Sequence, residues 1–547
     1  MSVVLKDRVE FRFTQKNAPS LWGLIALLIF SPMLTLEGWA EEHTLDQSDQ
    51  DQNKRSSEGQ GSEEEGFDEG GFDEGGFDEG GGFGELAEIK IKPSALPPPP
   101  SALRVDGFAR SQWAAWTQRA LKDSWAKGRQ SLDLSAKFKR DDWSLIAEAH
   151  VEYDLLYDVS SDPFDPVQKE EYRSQYIPGI QSVSKRFSLG QMSVSLSTGR
   201  QIITWGESDG LSPLDVINPQ DQREPGVAEL DDMKLAVWLS RVQTSFGAHS
   251  IELIVRHEGH YGLLVPPQAD YSPFNAIMAD SSAMLPSMIL EQIQHKEFRF
   301  AHEREGISKE TQSFFARYQY RGEGFDLGLY AASLLDQQGV LSALDLGSLL
   351  DQNRSQFEIN YDHPRFMLTG VTLALPLGSF LWKGEAVASI DKPVNVGAQA
   401  EFSQLEITEV NTLTAVSGLT YSGFTDTTLS LEYQKSFLVS DTPEKPFFVP
   451  PNLDVIALRA QRTFWRERLS ASAVFTMIAP QWGEPSQLHQ PQRGGLARVD
   501  LSYRLRDQVK LGLGYVHYFT GEDFGPFYGL ESHDRLFAQL RWDFTLY

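Results

Sequence analysis

The feature that most restricts this chain is a period-two rhythm that begins after Val105 and continues to the C-terminus. Successive side chains of a β-strand point to opposite faces, so this alternation predicts strands with one apolar and one polar face. The run RLFAQLRWDFTLY sets Leu536, Ala538, Leu540, Trp542, Phe544 and Leu546 against Gln539, Arg541, Asp543 and Thr545. LSASAVFTMIA sets Leu469, Ala471, Ala473, Phe475, Met477 and Ala479 against Ser470, Ser472 and Thr476. TLSLEYQ sets Leu429, Leu431 and Tyr433 against Ser430, Glu432 and Gln434. A soluble sandwich turns its apolar face to a core. A transmembrane barrel turns that face to lipid and the polar face to a lumen.

Connection lengths separate the two. Short turns fall at 140–142, 189–191, 246–250, 321–324, 377–380, 423–426, 466–468 and 506–508. Between them lie long loops at 158–171, 207–234, 261–310, 337–362, 392–410, 439–452, 480–495 and 521–533. Alternation of short and long connections is the pattern of a barrel with periplasmic turns and outer loops. The expected fold is therefore all-β: a transmembrane antiparallel up-and-down barrel of about 18 strands, both ends periplasmic. A barrel of that size holds an aqueous lumen unless loops or a tail fill it. Trp116, Trp143, Trp238, Trp382, Trp465 and Tyr433 stand near strand ends, where interfacial girdles form. Tyr547 supplies an aromatic ending of the kind found on outer-membrane barrels, although the alternation gives the apolar face to Leu546.

Ahead of the barrel, 105–547, two segments read differently. Residues 1–40 carry Lys6, Arg8, Arg12 and Lys16, then an apolar run from Leu21 to Leu36 interrupted by Pro32, then Gly38 and Ala40. This is the layout of a signal peptide cleaved after Ala40. The run is 16 residues long, short of the roughly 20 a membrane helix needs. Segment 41–104 is a tail. Glu41 to Glu85 hold 16 acidic residues against Lys54 and Arg55. GFDEG recurs at Gly66, Gly71 and Gly76, with a looser copy at Gly82–Glu85. One Phe per five residues cannot bury a core large enough to offset chain entropy, so the tail is expected to be disordered. Phe67, Phe72, Phe77 and Phe83 then serve either as part of a plain spacer or as repeated anchors for a partner, with avidity from repetition. The polyproline stretch KPSALPPPPS closes the tail as a stiff spacer.

The strand MSVSLSTGRQIITWG delivers the chain into a long polar loop, ESDGLSPLDVINPQDQREPG. Strict alternation would send Arg200 to lipid, at a cost of about 2–4 kcal/mol at the bilayer midplane. Gly199 permits a bulge, which would shift the phase by one and turn Arg200 inward to a lumenal carboxylate. The loop residues Trp205, Glu207, Asp209, Asp215, Asn218, Arg223 and Glu224 are candidate lumen groups. Their bland alternative is turn geometry, with Arg223 and Glu224 paired to each other. Long barrel loops also fold inward as constrictions or lids. Loop 261–310, with Pro266–Pro267 and the helix-like SMILEQIQ, is a second candidate lid.

The run Gly199-Arg200-Gln201-Ile202, Trp205-Gly206, Ser208-Asp209, Asp215-Val216, Asn218-Pro219, Asp221 and Arg223-Glu224-Pro225-Gly226 resembles the signature of an uncharacterised outer-membrane barrel family, domain of unknown function 1302. The resemblance implies a porin-like barrel of the bacterial outer membrane with its acidic tail in the periplasm. It also implies association with RND-type exporters and a role in moving hydrophobic or lipid-like molecules. The expected surroundings are outer-membrane lipid and lipopolysaccharide, with a periplasmic or RND-type transporter partner bound through the tail. No catalytic residue carries over.

Nothing in the chain argues for an enzyme. His257 and His260 in HEGH fall on opposite faces of a strand and lack zinc-protease spacing. No phosphate loop or nucleophile elbow is present, and the absence of cysteine removes thiol chemistry. No cofactor, metal or nucleic-acid partner is expected. Two alternatives to lipid transport stay open: a general diffusion porin, and a structural or adhesive surface barrel with a plugged lumen.

Overall fold

In the computed structural model, the described residues are 103–119, 125–159, 164–227, 233–272, 275, 296–342, 346–351, 353–396, 406–440, 452–479, 494–520, 527 and 529–546. The signal and residues 41–102, with Phe67, Phe72, Phe77 and Phe83, lie outside them, as do SMILEQIQ and Tyr547; Leu103 and Arg104, expected in the tail, instead begin the first strand. Eighteen strands pair in chain order: β1 (Leu103–Trp116), β2 (Trp125–Arg140), β3 (Trp143–Asp154), β4 (Ser174–Leu189), β5 (Met192–Gln201) and β6 (Val237–Phe246). Next come β7 (His249–Arg256), β8 (Ser313–Gly322), β9 (Phe325–Leu335), β10 (Arg365–Leu377), β11 (Phe380–Val396) and β12 (Glu406–Tyr421). The ring continues through β13 (Thr427–Leu438), β14 (Asn452–Phe464), β15 (Leu469–Ala479), β16 (Gly494–Arg506), β17 (Val509–Thr520) and β18 (Arg535–Thr545). β18 pairs antiparallel with β1, from Asp106 opposite Thr545 to Trp116 opposite Arg535, and closes the barrel.

The eight short turns read from the sequence each join two neighbouring strands at one end of the barrel. The opposite end carries the long loops, plus a ninth connection, 117–124, that the sequence reading did not separate. Three short helices occur among the described residues, at Leu156–Val159, Pro166–Arg173 and Leu346–Leu350, all between strands at the long-loop end. The second begins at Pro166 and is capped by Asp165, whose carboxylate accepts from Val167 N and Gln168 N at 2.9 and 3.1 Å.

The sheet is sorted inside out relative to a soluble fold. Leu513 is 55% exposed, Trp542 52% and Leu431 47%, all on the outer face, whereas Glu432 is buried between Leu431 and Tyr433 and points inward. Trp143, Trp238, Trp465 and Tyr433 are exposed on the outside, as girdle residues would be. Trp116 departs from that expectation. It is buried with Tyr271, Val516, Tyr518 and Leu530 on the lumenal side.

Arg200 requires a second correction. Pairing of β5 with β4 and β6 proceeds without a register shift, Gly199 opposite Ser182 and Leu239, Arg200 opposite Gln181 and Trp238. No phase change turns Arg200 inward; it stays on the outer face with Trp238. Gly199 has φ +121°, and a Cβ there would meet the Gln181 carbonyl oxygen at 2.2 Å. Its glycine therefore serves a close strand approach rather than a bulge. Arg200 is tolerated because it stands at the long-loop rim, where the lipid-facing penalty falls to about 0–1 kcal/mol. Glu258 neutralises it at 2.6 Å, and the Ala236 carbonyl accepts from it at 2.9 Å.

This sorting predicts an asymmetric response to charge. Leu513→Arg, on the lipid face, should lower unfolding stability in bilayers by about 2–4 kcal/mol, whereas lumen-facing Ser472→Arg should change it by less than about 1 kcal/mol. Urea titration in vesicles measures both.

Candidate functional site

The described residues of the connection between β5 and β6, 202–227 and 233–236, fold into the lumen, and the neck is tied by one side chain. Buried Asn218 accepts from Ile203 N at 2.8 Å through Oδ1 and donates through Nδ2 to Gln201 O at 2.9 Å and Leu235 O at 2.8 Å. The outgoing and returning ends of the loop are thereby held together. Lys234 bridges the same neck, reaching Asp215 at 2.9 Å and Thr204 Oγ1 at 2.7 Å.

The first lobe of the loop crosses to β11, β12 and β13. Glu385 on β11 accepts from the backbone N–H groups of Glu207 and Ser208 at 2.6 and 2.7 Å. Glu432 on β13 accepts from those of Asp209, Gly210 and Leu211 at 2.5, 2.9 and 2.8 Å. Two wall carboxylates thus bind five consecutive main-chain donors that would otherwise be orphaned away from water. Asp209 returns the contact: Lys383 Nζ lies 2.7 Å away, and the hydroxyls of Thr420 and Ser430 donate to it at 3.1 and 3.2 Å. The turn at Gly206 takes φ +95°, and a Cβ there would meet Glu385 Oε1 at 2.8 Å, so the backbone reaches that carboxylate only as glycine. Burial raises the Glu207 carboxyl above the usual range, opposed by Lys383.

Beneath these polar contacts lies an apolar interface. Trp205, Leu214 and Ile217 of the loop are fully buried against Val237, Leu239, Ile254, Phe315, Leu334 and Val387, which face inward from β6 to β11. Trp205 meets Phe315 and Tyr330 edge-on, and its indole N–H donates to Glu252 at 2.9 Å. Burying three such side chains stabilises the docked loop by roughly 5–9 kcal/mol relative to an aqueous lumen.

The second lobe docks on the other wall. Arg223 pairs with Asp221 at 2.7 Å and with Glu152 on β3 at 3.1 Å. Glu224 sits among Lys127 and Arg129 of β2 and Arg535 of β18, at 2.5, 2.9 and 2.6 Å. Arg223 and Glu224 therefore do not pair with each other, contrary to the simplest expectation for adjacent opposite charges. Each meets its own set of wall residues. Burial disfavours the charged Glu224 carboxyl, but Lys127, Arg129 and Arg535 outweigh it and hold the group well below the ordinary carboxylate range. The Tyr518 hydroxyl donates to Pro225 O at 2.6 Å and that of Tyr172 to Arg223 O at 3.0 Å.

The described part of the loop after β7 closes over the same region. Gln222 N donates to Leu263 O at 2.8 Å, Tyr271 packs on Trp116 and Tyr518, and Pro266 accepts from Ala269 N at 2.9 Å. His257 Nε2 lies 2.9 Å from Ser240 Oγ, and His260 Nδ1 accepts from Gly262 N at 3.1 Å. Among the described residues no group of His, Cys, Asp and Glu is placed to hold a metal.

Of the candidates read from the sequence, Trp205, Glu207, Asp209, Asp215, Asn218, Arg223 and Glu224 all belong to this docked loop, and Arg200 stands apart on the outer rim. The sequence reading missed the wall groups that receive them: Glu385, Glu432, Glu252, Lys127, Arg129 and Arg535. Glu432 was legible as lumen-facing from the alternation in TLSLEYQ; nothing local tied it to a loop more than two hundred residues earlier.

A closed even-stranded ring with an apolar exterior, and with one loop drawn across its interior, defines a porin-like β-barrel of the outer-membrane type. Residues 120–544 match the family described as "Protein of unknown function (DUF1302)", and the chain belongs to that family. No curated protein matches it in sequence. Among solved structures it is similar to the outer membrane protein OpdK from Pseudomonas aeruginosa (10% identity, 81% of this chain and 99% of that chain, TM-score 0.42). It is similar also to OccAB3 from Acinetobacter baumannii (10%, 81% and 99%, TM-score 0.43) and to OccK8 from Pseudomonas aeruginosa (9%, 81% and 98%, TM-score 0.45). The barrel assignment rests on the strand ring itself.

Because Asn218 fastens the neck, Asn218→Ala should strip three hydrogen bonds and leave Ile203 N without its acceptor, loosening the loop by about 1–3 kcal/mol. Limited proteolysis in detergent should show faster cleavage within 202–236, with barrel melting unchanged.

Proposed function

We propose that the protein conducts hydrophobic or lipid-like molecules across the outer membrane through a lumen that loop 202–236 opens and closes. The observation that carries this reading is the apolar lumenal wall of β6 to β11, with Trp205, Leu214 and Ile217 seated on it. The lumen-facing positions of a water-filled porin are polar. An apolar stripe there is stable only when covered, by the loop or by a cargo of similar character.

The energetics favour the same cargo. Undocking the loop into water forfeits roughly 5–9 kcal/mol of apolar burial, so water and small ions gain little passage. A hydrophobic molecule recovers that free energy by lying on the surface the loop vacates, and a ligand shifts a conformational equilibrium only through such differential affinity. The long loops face outward in this reading, and the acidic Phe repeats bind a periplasmic or RND-type partner that hands cargo to the short-turn end or takes it away.

Planar-bilayer recording separates this from a general diffusion porin. The wild type should show small, brief openings. Glu385→Ala with Glu432→Ala should give conductance several times larger and longer-lived. Large, steady, ohmic steps from the wild type would contradict gating and favour the diffusion porin. Deleting 66–84 should abolish partner capture and leave these openings unchanged.

A further inference from the structure

The cluster around Glu224 gathers three wall cations on one loop carboxylate, where Asp209 meets the single wall cation Lys383. Arg241 on β6 and Arg317 on β8 meet Glu252 on β7 at 2.6 and 3.0 Å, so wall cations there are neutralised by a wall carboxylate. At the long-loop end of β2 and β18 the cations belong to the wall but the central anion belongs to the loop. Glu224 Oε1 lies at ion-pair distance from Lys127 and Arg129, and Oε2 accepts from Arg535, so three cations converge on the carboxylate. Lys127, Arg129 and Arg535 are all buried. Arg129 also meets Glu152 at 3.3 Å and Asp154 at 3.9 Å, whereas Lys127 and Arg535 pair with Glu224. Withdrawing the loop would take away the anion that Lys127 and Arg535 pair with, and an incoming anion would restore that pairing.

We propose that Lys127, Arg129 and Arg535 form a binding site for the anionic oxygen group of a transported molecule, a carboxylate or a phosphate, and that Glu224 fills this site as a built-in surrogate. Cargo and loop then compete for one set of donors. The inference rests on the loop-gated reading above and deepens it: an amphiphile presents its anionic head here and its apolar part to the stripe on β6 to β11. Two guanidinium groups and an ammonium suit an oxyanion, since charge-assisted hydrogen bonds to such groups are the strong ones. The site also sets an order of events, because the head must displace Glu224 before the second lobe can leave.

Chemical rescue tests the site on the full-length protein in detergent, without reference to transport. Glu224→Ala should lower the melting temperature, and millimolar acetate or inorganic phosphate should restore most of that loss saturably, against sodium chloride of equal ionic strength. Acetate alone restoring it assigns the site to carboxylates, and phosphate alone assigns it to phosphate head groups. The wild type, its site filled, should respond to neither anion. Glu224→Ala with Arg535→Gln should lose the rescue.

Should Glu224→Ala fail to fold, the near-isosteric Glu224→Gln takes its place in planar bilayers. Its reversal potential should shift toward anion selectivity, and phosphate or acetate should block it at lower concentration than the wild type. Rescue no greater than chloride gives, or an unshifted reversal potential in Glu224→Gln, would overturn the proposal. Neither result depends on whether Glu385 and Glu432 gate the pore, so failure of the site and failure of the gating reading are told apart.

Discussion

The pairing of Asp106–Trp116 with Arg535–Thr545 is the constraint on which the remaining structure depends. It leaves no open edge, and in hydrocarbon an unpaired strand edge costs several kcal/mol for each unsatisfied group. Closure also divides every strand into two faces that see different media. Leu513 and Trp542 can be exposed because their surroundings are lipid. Glu385 and Glu432 can sit on β11 and β13 of the same sheet because theirs are a confined polar interior.

That interior is occupied by main chain, and three classes of contact hold it there. Its polar anchors are carboxylates on rigid strands meeting consecutive loop N–H groups, with glycine at 206 to let the backbone approach. Its apolar anchors are Trp205, Leu214 and Ile217. Its charged anchors, Asp209 and Glu224, answer lysines and arginines of opposite walls. Under the proposed gating, each class would be replaced by a matching part of the cargo: hydrogen-bond donors, hydrocarbon and an anionic group.

Much of the fold was legible in the sequence because a period of two is imposed by backbone geometry and does not depend on contacts elsewhere. The eighteen strands, the alternation of short and long connections and the inward position of Glu432 all follow from local pattern. The loop candidates were legible as a group, since no simple turn needs so many Gly, Pro, Asn and Asp residues. What failed had non-local causes. Glu224 and Arg535 are separated by 311 positions, and only closure of the barrel brings them together. Local pattern offers a bulge as the use of Gly199, whereas its actual use is the proximity of the Gln181 carbonyl on the adjacent strand β4. Trp116 was assigned to a girdle by residue type, whereas loop residue Tyr271 covers it inside the lumen.

Under the proposed gating the loop must leave Glu432 for anything to pass, and forbidding that motion tests it. A Cβ at Gly210 would stand 3.9 Å from Cβ of Ala457 on β14, within the roughly 3.5–4.5 Å of a relaxed disulfide. The chain has no cysteine to interfere. Single-channel recording of Gly210→Cys with Ala457→Cys should show no openings while oxidised and wild-type openings once a reductant is added to the same bilayer. Equal conductance in the two states would contradict the account.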